Sequence, residues 1–210
     1  MSSSVQPLES LFDQAQGQAL PLPADLLTLY GPLRFPLHPG KPYLVGNFVS
    51  TLDGVVSLNI PGQSGGGPIS GFNPHDHLVM GLLRAVADAV VVGAGTLRAV
   101  PDHRWTAAVQ RAGALSGQAI AQAVCEARPC QVILVEGGPR LLGDFFAEQL
   151  LDELFLTLAS QVAGRDAATS RPGLVEGYRF APEHPLWGTR RESSVPALCV
   201  QNERAKLKRS

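Results

Sequence analysis

Cysteine is scarce in this chain. Cys125, Cys130 and Cys199 are its three thiols, and they form no CxxC pair and no metal-ligand spacing. Their odd number and scatter exclude a disulfide framework and point to a reducing compartment. Net charge is small too: 17 Lys and Arg against 18 Asp and Glu leave a formal charge of −1. Binding to nucleic acid or to a membrane surface draws on a clustered basic face. The one basic cluster is the short tail Arg204, Lys206, Lys208, Arg209, which reads as a solvated terminus. No apolar run is long enough for a transmembrane helix. The stretch from Met1 to Gln18 is polar, with no basic segment leading into an apolar one, so it does not read as a secretory signal. A cytoplasmic location is expected. Neither a Gly-x-Ser-x-Gly elbow nor a Walker A sequence is present, so serine-hydrolase and P-loop chemistry have no motif to stand on.

Glycine and proline, by contrast, are plentiful at 22 and 17, which predicts many turns in a chain long enough to bury a core. Repeated prolines from Pro21 to Pro42 predict an irregular or partly helical leader over residues 1–42. Tyr43–Ser50 is rich in β-formers and reads as a strand, with a second β-like piece over Val55–Leu58. Asn59 to Gly71 holds five glycines and reads as a mobile loop. Asn73-Pro74 supplies an N-cap and a first-turn proline, and Leu78, Leu82, Leu83 and Val86 recur at helical spacing, so Pro74–Ala87 is a helix. Asp88–Gly93 is a continuous apolar run, as in a strand buried on both faces. A helix over Gln118–Ala127 and a strand over Gln131–Val135 follow. Then come a helix after Gly137-Gly138-Pro139 and a strand over Asp152–Ala159. Trp187–Glu192 and Pro196–Gln201 alternate as an antiparallel hairpin. Strand and helix in alternation mean one α/β domain with a mainly parallel, mixed sheet.

Three places have the residues for chemistry. At Val135-Glu136-Gly137-Gly138-Pro139 a buried strand ends and a helix opens. The first N–H groups of that helix are unpaired and its dipole is positive there, an anion site that glycines leave bare. A tight turn with no ligand is the competing reading. Val92-Gly93-Ala94-Gly95-Thr96-Leu97-Arg98 is a second strand-to-helix turn. Arg98 stands where a third fingerprint glycine would fall, and Thr96 and Arg98 are of types that reach phosphate. The third place joins Asn47, inside the first strand, to Thr51 and Asp53 at its end. Asp53 beside Gly54 is either a turn residue or a carboxylate facing a ligand. His75 and His77 stand two apart on a helix and do not share a face, so no metal site is expected. His103, Arg104 and Trp105 read equally as a polar lip and as a solvent loop.

Taken in order, these segments resemble a known family. NFVSTLDG, the glycine-rich loop with Ile69-Ser70, LLRAVADAVVVGAGTLR, VILVEGGPRLLGDFF and LLDELFLTLAS are similar to the reductase domain of riboflavin biosynthesis, over roughly Tyr43 to Gly164. That domain is the C-terminal half of many bifunctional deaminase–reductases, and the zinc-binding deaminase half has no counterpart here. The resemblance implies a dihydrofolate reductase-like, three-layer α/β fold with a mostly parallel mixed sheet. Its limits would be a leader 1–42, a reductase-like domain 43–203 and a basic tail 204–210. It implies NADPH-dependent reduction of 5-amino-6-(5-phosphoribosylamino)uracil, a small-molecule substrate, and a homodimer paired through its sheet. Asp53 would be catalytic. Asn47, Thr51, Ser70 and Arg104 would bind substrate, and Gly93, Thr96, Arg98, Glu136, Gly137, Gly138 and Leu141 would line the cofactor. Val55, Pro68 and His77 depart from the family's pattern, and the stretch between Thr106 and Gly117 is much shortened. That shortening leaves open a sheet lacking strands on one side. Two alternatives stay open: a same-fold reductase for another pterin or pyrimidine, and a non-catalytic dimeric remnant.

Overall fold

The computed structural model describes residues 5–12, 17–60, 63, 65–99, 116–127, 129–195 and 198–207. Arg104, with the lip around it and most of the shortened stretch, lies outside them. The leader gives β1 (Glu9–Phe12), β2 (Gln18–Ala19), α1 (Ala24–Tyr30) and β3 (Arg34–Phe35). Then come β4 (Tyr43–Thr51), a single helical turn α2 (Gly67–Ser70), α3 (Pro74–Val86), β5 (Ala89–Val91) and the short α4 (Ala94–Ala99). The chain continues through α5 (Gly117–Ala127), β6 (Val132–Val135), α6 (Pro139–Ala147), β7 (Glu153–Ala159), β8 (Gly188–Val195) and β9 (Leu198–Leu207).

One seven-stranded mixed sheet runs in the order β1-β8-β9-β7-β4-β6-β5. β5, β6, β4 and β7 are parallel, and β9, β8 and β1 extend them antiparallel. α3 packs Val79, Leu82 and Leu83 on one face, against Tyr43, Val45, Leu134 and Phe155. On the other face α6 buries Leu142, Phe145 and Phe146 against Leu44, Ile133 and Val135, with Ile120 and Val124 of α5 alongside. This is the three-layer mixed α/β architecture expected. The strand residues are β-branched or aromatic, and the helices carry their apolar residues on one stripe, so each element buries a single face.

Asparagine 73 caps α3 as its position predicts: its side chain accepts from the His75 amide at 2.8 Å, with Pro74 in the first turn. The amino ends of the parallel strands are stitched by carboxylates. Asp88 accepts from the Gln131 and Val132 amides at 2.7 and 2.9 Å, and Asp152 accepts from Leu44 N at 2.9 Å while its other oxygen meets His38 at 3.0 Å. These bonds satisfy donors that the sheet leaves open at its entry edge.

Four expectations are revised. The leader is no mere preface: Leu33 and Phe35 are fully buried, and the Phe35 ring stacks on Tyr43 at 5.2 Å and meets Phe155 edge-on at 6.5 Å. The Val55–Leu58 piece is not a strand. It makes one bridge, Val55 to Gly173. β5 is not buried on both sides: it pairs only with β6 among the described residues, and Val90 is 39% exposed. The basic tail does not begin beyond the sheet, because Arg204 and Lys206 lie in β9, in register with Phe155 and Glu153. The hairpin itself forms antiparallel, its second strand running on to Leu207.

Candidate functional site

Strand β6 ends at Val135, and Glu136-Gly137-Gly138 turns the chain into α6. The neighbouring strand β5 ends beside it and passes through Gly93 into α4. The two turns touch through bare backbone. A Cβ added to Gly93 would sit 2.9 Å from Gly138 N, and one added to Gly137 would sit 3.1 Å from Gly93 N and 2.2 Å from the Leu141 side chain. Glycine at 93 and 137 is therefore required by mutual packing. Gly138 is different. Its φ of −67° and ψ of 169° suit any residue, and among the described residues nothing lies within 4 Å of a Cβ placed there. No side chain caps α6, and its first internal bond is Leu142 N to Gly138 O at 3.1 Å, so the amides before it have no helical partner. The result is a joint two-turn cradle at the carboxyl edge of the parallel strands, with an open, electropositive helix start. Thr96 is half-buried and Arg98 exposed on α4, at the side of this cradle. Leu141 lies over Gly137 and packs into the α6 core.

Glutamate 136 is committed to a protein partner. Arg84, in the last turn of α3, donates Nε to both carboxylate oxygens at 3.0 and 2.9 Å, and its Nη2 donates at 2.6 Å. Only 7% of the Glu136 side chain is exposed, against 36% for Arg84. The Glu136 amide donates to Val91 O at 2.9 Å. The head of the turn is thus fixed to α3 by its side chain and to β5 by its backbone.

Parallel register pairs Gly46 with Val135, so the next step along β4 sets Asn47 beside the start of the glycine turn. Strand alternation places Asn47 on the face of Tyr43 and Val45, the α3 side. It is half-buried. β4 continues beyond β6 from Asn47 to Thr51, roughly 16 Å of strand, pairing there, among the described residues, with β7 alone.

Threonine 51 and Asp53 lie at that far end, turned toward the loop after β7. Thr51 is buried; its hydroxyl donates to Asp53 Oδ1 at 2.6 Å and accepts from Val55 N at 2.9 Å. Asp53 also accepts from Ala163 N at 3.0 Å and Gly164 N at 2.8 Å. The Thr51 hydroxyl first, and the backbone amides after it, hold the Asp53 carboxyl at about 2, below the ordinary 3.8. Arg165 donates to the Asp53 carbonyl at 2.9 Å, and Arg171 donates to the carbonyls of Ala163 and Gly164. Asp53 is thus a clasp, ionised at neutral pH, between the turn after β4 and the loop after β7.

The structure brings Gly93, Gly137, Gly138, Leu141, Thr96 and Asn47 to one edge. Thr51 and Asp53 share that edge at its β7 end, with their bonds spent locally. Ser70 ends α2 and donates to Gly67 O at 3.3 Å. Sequence reasoning missed Arg84, whose partner stands 52 residues away, and a polar group beneath α2 formed by Asp76, Thr157 and Gln161. A first-turn aspartate followed by an apolar helix face was the signal for Asp76. His75 binds the Gln6 carbonyl at 2.9 Å, and no cluster of three metal-ligating side chains occurs among the described residues.

No family model matches the chain, and no curated protein matches it in sequence. Solved structures do. The chain is similar to RibD of Acinetobacter baumannii, at 16% identity over 81% of this chain and 59% of that one, with a TM-score of 0.57. It is also similar to a pyrimidine reductase-like protein of Corynebacterium diphtheriae, at 17% identity, 80% and 93% coverage and a TM-score of 0.60. A third is Rib7, the riboflavin biosynthesis reductase of Saccharomyces cerevisiae, at 13% identity, 80% and 90% coverage and a TM-score of 0.54. The chain spans about six-tenths of the length of the Acinetobacter protein. At these identities the likeness shows the fold alone: the chain shares the fold of these three structures. No helix of the described residues is long and apolar enough to cross a membrane.

Proposed function

We propose that the chain is a nicotinamide-dependent reductase whose cofactor lies against the two-turn cradle of Gly93 and Gly137-Gly138. The observation that carries this reading is the pair of touching glycine turns, with an uncapped helix start and open space at Gly138. A pyrophosphate fits such a place: the first-turn amides of α6 donate, and the helix dipole favours the negative charge. Thr96 and Arg98 would continue that path along α4. Glu136 acts behind the cradle, by holding its turn. Bound there, NADPH supplies hydride.

More particularly, we infer a pyrimidine reductase of riboflavin biosynthesis that reduces 5-amino-6-(5-phosphoribosylamino)uracil at the sugar carbon bearing the amine. The motif order supports it, and so does the structural likeness to RibD and Rib7. Asn47, on the α3 face, would bind substrate beside the cradle, with Ser70 and Arg104 at the rim. Asp53 and Thr51 serve this site by shaping the turn that closes it, and the fixed charge of Asp53 adds a negative potential that favours an electron-poor centre. A cytoplasmic homodimer is part of the same reading. Both edges of the β8–β9 hairpin are already paired within the sheet, so among the described strands β1 and β5 are the edges through which a dimer would extend it.

Fluorescence titration of the purified chain with NADPH, then assay with the phosphoribosylamino-pyrimidine, tests the proposal. Micromolar cofactor binding with turnover is the expected result. No binding at millimolar NADPH would sink it and leave the non-catalytic dimer as the better account. Cofactor binding without turnover on this substrate would favour a same-fold reductase for another pterin or pyrimidine.

A further inference from the structure

Between β7 and β8 the chain touches both ends of the candidate site. Its first part is fastened to the turn after β4. Arg165 donates to the Asp53 carbonyl and, through Nε, to Arg171 O at 3.2 Å. Val56 N donates to Pro172 O at 3.0 Å, and Val55 bridges to Gly173. Its second part lies across α6. The Glu176 amide donates to Pro139 O, in the first turn of α6, at 3.2 Å, and Tyr178 donates its hydroxyl to Asp144 Oδ1 at 2.9 Å. Leu174, Val175 and Phe180 pack on the α6 side of the core, where the Phe180 ring meets Phe146 at 6.4 Å. The two parts join at one turn, and Glu176 braces it: its Oε1 accepts from Gly173 N at 2.8 Å.

Glycine weakens a helix interior, yet Gly143 stands inside α6. A Cβ there would meet Glu176 O and the Tyr178 ring, each at 2.9 Å, so the crossing requires it. The start of α6 is otherwise lightly held: no side chain caps it, and its first internal bond is Leu142 N to Gly138 O. Amides that donate to a bound group do so best when they already point the right way, because ordering them at binding weakens affinity. The bond from Glu176 to the first residue of α6 supplies that order. The turn that Glu176 braces passes the restraint on to the Asp53 clasp.

We propose that Glu176 is a positioning residue for the cofactor cradle: it holds the start of α6 to the loop that the Asp53 turn clasps, so that the two ends of the carboxyl edge move as one. It acts through Pro139 and Gly138 and touches no reacting group. The identity of the ligand rests on the reductase reading; the brace itself does not. Hydrogen bonds in series transmit a restraint only while each is intact. Breaking the brace at either end therefore has one effect, and breaking both adds little to it.

Glu176→Ala removes the acceptor for Gly173 N, Glu176→Gln keeps one, and Arg165→Met frees the far end from Asp53. NADPH affinity of the full chain is read by fluorescence titration, and hydrogen exchange of the Leu142 amide by NMR. Glu176→Ala and Arg165→Met are each expected to weaken NADPH binding about fivefold, the low end of measured couplings. The double variant is expected to bind no more weakly than the weaker single, and Glu176→Gln to bind as the native chain does. Leu142 exchange should quicken about tenfold in both single variants, as local opening becomes easier, while Leu83 in α3 exchanges as before. Effects that multiply in the double variant overturn the assignment. So does a Gln variant as weak as the Ala one, or native affinity with a lowered urea midpoint. A native chain that binds no NADPH defeats the reductase reading alone. The brace is then decided by Leu142: unchanged exchange overturns it, and quickened exchange in both variants upholds it.

Discussion

Three glycines in two turns differ in what they tolerate, and that difference separates fold from binding. At Gly93 an added methyl would meet the Gly138 backbone at 2.9 Å, so Gly93→Ala must push the turns apart. We expect it to lower stability by about 2 kcal/mol, in the range of overpacked sites, read as a shifted urea midpoint. Gly138→Ala meets nothing among the described residues and needs no unusual backbone angle. It should leave the midpoint unchanged while weakening NADPH binding, because the methyl stands where the pyrophosphate would approach. Equal cofactor affinity in Gly138→Ala and the native chain would remove the cradle from the cofactor site. Asp53 makes a prediction of another kind. Its native pKa, about 2, is below the ordinary 3.8, so the stability its charge contributes is present at neutral pH. That stability is lost as pH falls from about 4 to about 2. Thermal melts of the native chain and Asp53→Asn should differ at pH 7 and converge toward pH 2; parallel curves throughout would mean the clasp is idle.

Elements are held by side chains that arrive from far along the chain. Arg84 ties α3 to the head of the glycine turn, and its loss would leave Glu136, 7% exposed, charged and alone. Arg84→Met should cost about 3 kcal/mol, the low end for breaking a buried pair because the arginine is partly exposed. Adding Glu136→Met should restore much of that in chemical denaturation, and no recovery in the double variant would show that the pair matters for more than charge compensation. At the other end of α3, Asn73→Ala removes the cap on the His75 amide and should cost about 1 kcal/mol. Such local devices were legible in the sequence: Asn73-Pro74 starts a helix, and Gly137-Gly138-Pro139 joins a strand to one. The Arg84–Glu136 pair was not, because its members are 52 residues apart. Nor were the partners of Asp53, whose oxygens are bound by amides 110 and 111 residues downstream. A carboxylate before glycine looks the same in sequence whether its oxygens face a ligand or another loop.

At the scale of the molecule, alternation of strands and helices and the motif order were enough to anticipate the three layers and the mixed sheet. Strand position was harder to read. The run DAVVVG looked doubly buried, yet β5 borders only β6 among the described residues, since apolar composition does not distinguish a central strand from an edge. The leader was under-read for the opposite reason. Its prolines hide Leu33 and Phe35, which earn their place only against Tyr43 and Phe155, residues that no local pattern links to them.

The sheet's outer seam joins Glu9 to Ser194, the first strand to the one before last. Nearly the whole chain must be threaded into place before these two can meet, and a contact so distant in sequence is gained at a high entropic cost. During synthesis the opening segment must therefore wait, unpaired, until the closing hairpin has left the ribosome. A fluorescent reporter on that segment would register the last event of assembly, well after α3 and α6 have docked.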